Sequence, residues 1–192
     1  MIPREDKEIR LVELIEDYIQ DGQILIFVQK QDTGDHLFKF LMKYSFKPLI
    51  IHGGQDQIDR HNTIEEFKRG AKDIMIGTSL CARGLDIKNL ILVVNFDCPT
   101  HKEDYIHRIG RTGRAGNKGT AITFITKEEE AFAEDIMIAI KISGKIPPPE
   151  LVQLHEMFMV KVRRGEAKQF KNKNMLGAGY KFDAEEAMRT NE

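Results

Sequence analysis

Short runs of apolar residues recur along this chain, and segments with a different spacing separate them. The runs are Ile24 to Val28, Leu49 to Ile51, Ile74 to Ile76, Leu90 to Val94 and Ala121 to Ile125. Continuous apolar runs of this kind are typical of strands that are buried on both faces of a sheet. The pattern therefore predicts a core built on five buried strands.

The segments between these runs place apolar residues at helical spacing. They contain Leu37, Leu41 and Tyr44, then Ile64 and Phe67, and finally Phe132, Ile136 and Ile140. An amphipathic segment also precedes the first run, with Leu11, Leu14, Ile15, Tyr18 and Ile19 on one side and Gly22 as its stop. Strand and helix alternate, which predicts an α/β fold: a mostly parallel sheet of about five or more strands with helices on both faces.

The composition is that of a chain with one sizeable core. Its 192 residues are 41% hydrophobic and 31% charged, with a net charge of −1. This charge argues against adhesion to nucleic acid by bulk charge, so any RNA contact must be local. Cys81 and Cys98 lack the spacing of a zinc site, and we interpret both as free thiols. With no apolar stretch of membrane-spanning length and a charged start, MIPREDKEIR, we expect an intracellular chain without a membrane partner.

Three polar segments follow predicted strands, where the ligands of parallel sheets gather. In the first, HGGQDQIDR, the pair Gly53 and Gly54 alone would indicate only a tight turn. Gln57 and Arg60, at the start of a predicted helix, change this interpretation. Backbone amides and a guanidinium there would suit a phosphate of single-stranded RNA. The alternative is that Arg60 is an ordinary solvated helix charge.

The second polar segment is TSLCARGLD, from Thr78 to Asp86. The third segment, YIHRIGRTGR, contains three arginines at three-residue spacing. A solvated basic patch is the alternative for the arginines, but it does not explain the interleaved glycines, which lower helix propensity and let the backbone approach closely. Charge on a γ-phosphate is best neutralised by planar guanidinium groups supplied from outside the nucleotide-holding loop. Arg111 and Arg114 fit this arginine-finger role.

These ordered motifs, within residues 7 to 145, resemble the C-terminal RecA-like domain of DEAD-box RNA helicases. The resemblance implies RNA contacts by Gly53, Arg60 and Thr78, nucleotide contacts by Gly84, Asp86, Arg111 and Arg114, and interdomain coupling by Arg83 and His107. Glycine allows close backbone approach and a carboxylate accepts from ribose hydroxyls, although Asp86 as a turn cap is the alternative. Many members carry Asp where this chain has Ser79, which predicts a weaker RNA contact there.

Two motifs that ATP hydrolysis requires are not in the sequence. It contains no G-x-x-x-x-G-K-[ST] phosphate loop and no Asp-Glu-Ala-Asp run to hold Mg²⁺ and position water. The resembled helicases carry both in an N-terminal RecA-like domain. We therefore expect the C-terminal half of an ATP-dependent RNA helicase, inactive alone, whose cofactor is ATP with Mg²⁺ and whose metal is held mainly by the other domain.

The chain divides into a predicted RecA-like domain of residues 1 to 145 and a C-terminal extension of residues 146 to 192. Beyond Pro147, Pro148 and Pro149, helical spacing of Leu151, Leu154, Phe158 and Val162 predicts one more helix. A basic run from Lys161 to Lys173 and a glycine-broken segment follow, which predicts a flexible tail. The basic run is either solubilising or an extension of an RNA or protein contact surface.

The stretches TSLCARGLDIKNLILVVNFDCP, HRIGRTGRAGNKGTAITFIT and LGAGYKFDAEEA bring the resemblance closer to the DEAD-box helicases of pre-mRNA splicing, at pre-spliceosome assembly on the branch site. This implies a nuclear location and RNA, an N-terminal RecA-like domain and spliceosomal proteins as partners; we expect a monomer. Two alternatives stay open. One is a non-catalytic RNA- or protein-binding RecA-like module, against which Asp86, Arg111 and Arg114 argue, and the other is a DNA-directed helicase of the same superfamily.

Overall fold

A computed structural model describes residues 1–79, 87, 90–113 and 118–168. Its strands are β1 (Gln23–Val28), β2 (Leu49–Ile51), β3 (Ile74–Thr78), β4 (Leu90–Asn95) and β5 (Thr120–Thr123). Its α-helices are α1 (Lys7–Tyr18), α2 (Gln31–Lys43), α3 (Gln57–Lys68), α4 (Lys102–Ile109), α5 (Ala133–Ile142) and α6 (Pro149–Arg163). Short 3₁₀ helices at Arg4–Asp6 and Lys127–Phe132 precede α1 and α5.

The strands form one sheet in the order β2-β3-β1-β4-β5, and every neighbouring pair is parallel. The predicted α/β fold is confirmed, and the all-buried β1 lies at its centre. The predicted end of the last strand at Ile125 is wrong, since β5 ends at Thr123. The reason is that β4 ends at Asn95, which pairs with Thr123, so the next residues have no ladder to extend. Phe124 and Ile125 are buried nonetheless.

Both faces of the sheet are covered, as period-2 alternation requires for a strand with no polar face. Ile24, Ile26 and Val28 of β1 pack in one cluster with residues of α1 and α2. Leu25 and Phe27 point the other way, into a cluster that includes Phe67 of α3. The sheet therefore lies between helices, and its loops reach solvent at the strand ends.

A third cluster joins α4, α5 and α6 beside the outer strand. Tyr105 of α4, Ile136 of α5 and Leu151 of α6 are all buried in it. The predicted extra helix begins at Pro149, in the first helical turn, where the missing amide of proline costs nothing. The tail prediction for residues 169 to 192 lies outside the described residues, and the division after residue 145 stays a prediction.

One buried lysine fixes the start of the chain to the end of β4. Lys7 is 5% exposed, and its Nζ donates to the Phe96 carbonyl (3.1 Å) and lies 3.4 Å from Glu129 Oε2. Glu129 is itself held because the same oxygen accepts from the Thr126 amide at 2.9 Å. A buried charge needs such partners, so α1 is bound at one position relative to the sheet. In the described ranges, none of the helices has the length and apolarity to cross a membrane.

Candidate functional site

The polar segments singled out in the sequence meet at the carboxyl edge of the sheet. Because β1 to β4 run in the same direction, Gln29, His52 and Ser79 all leave the sheet at this edge. Asn95, the last residue of β4, is fully buried there. A polar residue at the end of an apolar strand requires a hydrogen-bond partner. Its Nδ2 donates to Thr123 Oγ1 at 2.9 Å, so neighbouring strand ends are joined.

Arg108 of α4 lies at the centre of this edge and is only 1% exposed. Its guanidinium donates to Ser79 Oγ (2.7 Å), Gln29 Oε1 (2.9 Å), the Asp97 carbonyl (3.0 Å) and, at 3.5 Å, Asn95 Oδ1. These acceptors belong to the ends of three different strands. Arg108 therefore fixes α4 against β1, β3 and β4 at once.

The charge of Arg108 is balanced from within its own helix. Its Nη2 lies 2.7 Å from Oδ2 of Asp104, a carboxylate one turn earlier whose side chain is 17% exposed. The same carboxylate oxygen accepts from Ser79 Oγ at 3.2 Å. The Phe27 ring lies below the guanidinium, with its centre 5.3 Å away. We call Arg108, Asp104 and Ser79 the arginine node.

The predicted arginine finger Arg111 follows the node by one turn. Helix α4 ends at Ile109, so the predicted helix-breaking effect of Gly110 is seen at its C-cap. Arg111 is partly exposed, and its Nε donates to the His107 carbonyl at 3.1 Å. Two residues later, Gly113 has a φ of +70°, in the left-handed region that favours glycine. The side chain of Arg111 thus leaves the helix end at the same edge of the sheet as the node.

Burial separates the two described arginines of the motif. A solvated patch, the alternative for the cluster, is wrong for Arg108 because that side chain is inside the protein. Arg111 is partly exposed and His107 is exposed, so a ligand or another domain has access to both. Arg114, the second predicted finger, lies outside the described residues, as do Arg83, Gly84 and Asp86.

The loop after β2 is held by side chains of its own. The His52 amide donates to Gln55 Oε1 (3.1 Å), and Gln55 Nε2 donates to the Ile50 carbonyl (3.1 Å). The Gly54 amide donates to His52 Nδ1 at 3.2 Å, so this amide is already engaged by the protein. A Cβ on Gly54 would lie 2.7 Å from Gln31 Oε1, so a larger residue here would require the flexible Gln31 side chain to move.

Arg60 lies in the first turn of α3, where its backbone amide donates to the Asp56 carbonyl at 3.1 Å. Asp56 caps that helix, because its Oδ1 accepts from the Asp59 amide at 2.9 Å. Arg60 is partly buried, while Gly53 is exposed in the preceding loop. Thr78 ends β3, opposite Val28, and is also partly buried. The three predicted RNA contacts thus follow adjacent strands, β2 and β3, at the site edge.

Burial opposes the ionisation of two groups near the site. Burial raises the pKa of the Cys98 thiol, and the nearby Glu129 carboxylate raises it further. Burial likewise raises the pKa of Tyr105. Cys98 is a free, neutral thiol that serves as a small apolar side chain. Among the described residues, no group of three or more His, Cys, Asp or Glu side chains is arranged to hold a metal ion.

The sequence indicated the motifs but not the residues that hold them in place. Gln29, Asn95, Asp97, Asp104 and the first arginine of the motif, Arg108, were given no individual role. A weak signal existed in Gln29 and Asn95, since each is a polar residue directly at the end of an apolar run. Which of three similar arginines is buried depends on how α4 packs, and that is a tertiary property.

Known proteins resemble this chain over most of its length. Residues 6–116 match the family described as helicase conserved C-terminal domain. The chain is 48% identical over 189 residues to "ATP-dependent RNA helicase ddx46" of Dictyostelium discoideum, which covers 98% of the chain and 16% of that protein. It is 49% identical over 169 residues to "Pre-mRNA-processing ATP-dependent RNA helicase prp11" of Schizosaccharomyces pombe, and this match covers 86% of the chain and 17% of that protein.

A solved structure has the same fold. The C-terminal domain of the DEAD-box protein Dbp5 superposes with a TM-score of 0.64 and 32% identity, covering 82% of this chain and 91% of that one. The two curated relatives are much longer, since this chain spans only 16% and 17% of their lengths.

Proposed function

We propose, from the premise that this chain belongs to the helicase conserved C-terminal domain family and to its DEAD-box members, that it supplies the arginine-bearing half of an ATP-dependent RNA helicase. The other half is an N-terminal RecA-like domain with the phosphate loop and the Asp-Glu-Ala-Asp motif. ATP with Mg²⁺ binds between the halves, the metal mainly on the N-terminal side. Binding of ATP and RNA closes the cleft, and closure remodels the RNA or ribonucleoprotein.

The observation that carries this proposal is the position of Arg111. It follows a buried arginine that is fixed to three strand ends, and it is partly exposed at the carboxyl edge of a parallel sheet. A guanidinium held on such a support is suited to charge that develops on a γ-phosphate as two domains close. Arg114 shares this task, and Gly84 and Asp86 contact the nucleotide.

RNA contact is the second part of the proposal. Gly53, Arg60 and Thr78 bind the backbone of single-stranded RNA, which gives affinity without reading bases. Their positions after β2 and at the end of β3 support a common strip along the site edge. His107, exposed beside Arg111, couples the two domains together with Arg83.

The cellular role follows from the relatives. The Schizosaccharomyces pombe relative carries the words pre-mRNA-processing in its name, which supports a role in splicing. The proposed setting is therefore the nucleus, with spliceosomal RNA and proteins as partners of a monomeric helicase.

The test is the turnover of the two-domain protein with Arg111 replaced by Lys or Ala. We expect kcat for RNA-stimulated ATP hydrolysis to fall on the order of a thousandfold, as for arginine fingers generally, with little change in nucleotide affinity. Lysine should not rescue, because an ammonium lacks the planar fork that bridges two phosphate oxygens. The control is Arg10→Lys, an exposed arginine of α1 that is paired with Glu13.

Three results would contradict the proposal. Parental turnover in both Arg111 variants would make Arg111 part of a solvated basic face. Hydrolysis of ATP by the present chain alone, stimulated by RNA, would show that the other half is not required. Nucleotide and RNA binding without any turnover by the two-domain parent would favour the non-catalytic binding module.

A further inference from the structure

We propose that Asp104 is a positioning residue for ATP hydrolysis: it supplies the negative charge that orients Arg108, and through Arg108 it sets the place of Arg111. This inference rests on the proposed function and adds to it a residue outside the predicted nucleotide and RNA contacts.

Arg108 has the positive charge of a guanidinium, and its side chain is only 1% exposed. A buried guanidinium needs an anion as well as neutral acceptors. Four of its contacts are neutral: a hydroxyl, two side-chain amides and a backbone carbonyl. Among the described residues, the carboxylate within ion-pair distance is that of Asp104, at 2.7 Å.

Position 79 explains why this task belongs to Asp104. The neighbour of the guanidinium at the end of β3 is Ser79, whose hydroxyl cannot neutralise the positive charge. Ser79 Oγ accepts from Arg108 Nε at 2.7 Å and lies 3.2 Å from Asp104 Oδ2, so it can donate its own proton to that carboxylate. The hydroxyl thus bridges the two charged groups instead of replacing one of them. Because Ser79 Oγ already contacts this guanidinium, a carboxylate at position 79 would also lie beside it.

The consequence for catalysis follows from the short distance along the chain. Asp104 and Arg108 are one helical turn apart, and Arg111 follows at the next turn, where its amide donates to the Arg108 carbonyl at 3.2 Å. If Asp104 loses its charge, Arg108 keeps only neutral acceptors and the end of α4 is less well fixed. A misplacement of about 1 Å at a catalytic group lowers turnover by up to about a hundredfold. Ground-state nucleotide affinity should change little, because the main effect of Arg111 is on the charge that develops in the transition state.

The experiment compares three variants of the two-domain protein by RNA-stimulated ATP hydrolysis. Asp104→Asn should lower kcat roughly tenfold to a hundredfold and leave KM for ATP within about twofold. The matched control is Glu103→Gln, which removes an exposed carboxylate from the same first turn of α4 and should keep parental kinetics. Ser79→Asp combined with Asp104→Asn returns the charge from the strand end, and kcat should recover to within about threefold of the parent.

Each outcome decides a separate claim. Turnover of Asp104→Asn equal to that of Glu103→Gln overturns the positioning role, and so does a loss of kcat that Ser79→Asp fails to restore. A rise in KM at unchanged kcat also overturns it, because that pattern indicates uniform binding. If Asp104→Asn does not fold, the double variant must fold and hydrolyse ATP, or the inference is wrong. A parent without RNA-stimulated hydrolysis contradicts the proposed function instead.

Discussion

Replacing the buried Arg108 with methionine should destabilise the folded chain more than the same replacement of an exposed arginine. Methionine fills much of the same volume but donates no hydrogen bond. The Asp104 carboxylate, 17% exposed, would then be left without its cation, and Gln29 and Ser79 would lose a donor. Breaking a buried ion pair by removing one partner costs about 3–5 kcal/mol of the free energy of unfolding.

The matched variants separate charge from hydrogen-bond number. Arg108→Lys keeps the charge, but an ammonium has three donors for five acceptors, so about two hydrogen bonds at roughly 0.5–1.5 kcal/mol each are lost. Combining Arg108→Met with Asp104→Asn should recover part of the loss, because the orphaned charge is gone. Arg10→Met, in an exposed i,i+3 pair, should stay within about 1 kcal/mol of the parent.

The assay is thermal and urea unfolding of the chain, followed by circular dichroism. A loss of about 3–5 kcal/mol corresponds to a decrease in Tm of roughly 6–20 °C for a chain of this size. A Tm for Arg108→Met equal to that of Arg10→Met would refute the reasoning, since it would mean that the node contributes no more than a surface pair.

Three further predictions use other parts of the molecule. In the two-domain protein, Arg60→Ala should weaken binding to unrelated RNA sequences equally and reduce the salt slope by about one; sequence-selective loss would contradict it. Burial, and then the Glu103 carboxylate, raise the pKa of Asp135. Ionised Asp135 therefore lowers the stability of the fold above its folded pKa, and this cost disappears as the pH falls through that pKa. Glu103→Gln should lower the pKa of Asp135 in an NMR titration, and an unchanged titration midpoint would refute this. With Cys81→Ser in place, Cys98 should react with a thiol reagent slowly in the native state and rapidly in denaturant; rapid native labelling would contradict its burial.

The inner strands of the sheet could be predicted because they are short, apolar and buried. The β1 and β4 runs were located to within one residue, since a strand covered on both faces has few polar positions inside its limits. The outer strand β2 is only partly buried, but its three apolar residues were also located to the residue. The end of β5 was missed because the buried, apolar residues Phe124 and Ile125 directly follow the strand. Strand pairing, which ends at Asn95 of β4, decides that boundary and is not written in the local sequence.

The site could be predicted only as far as its motifs are local. The end of α4 at Gly110 and the start of α3 at Gln57 depend on neighbouring residues, and both lie near the predicted positions. The burial of Arg108 depends instead on Gln29, which is 79 positions away along the chain. A spacing of three between arginines cannot distinguish the one that packs inward from the one that reaches solvent. That distinction separates structural support from proposed chemistry.

The cluster that joins α4, α5 and α6 has a practical consequence for defining the unit that folds. The family match ends at residue 116, before β5 begins. A protein cut there would expose the hydrogen-bonding edge of β4, a six-residue apolar strand, together with Cys98 and Tyr105. Open apolar edges of this kind pair with other chains and aggregate. We therefore expect the smallest stable unit to extend beyond the matched segment, at least through Leu154, because Leu151 and Leu154 of α6 pack against this surface.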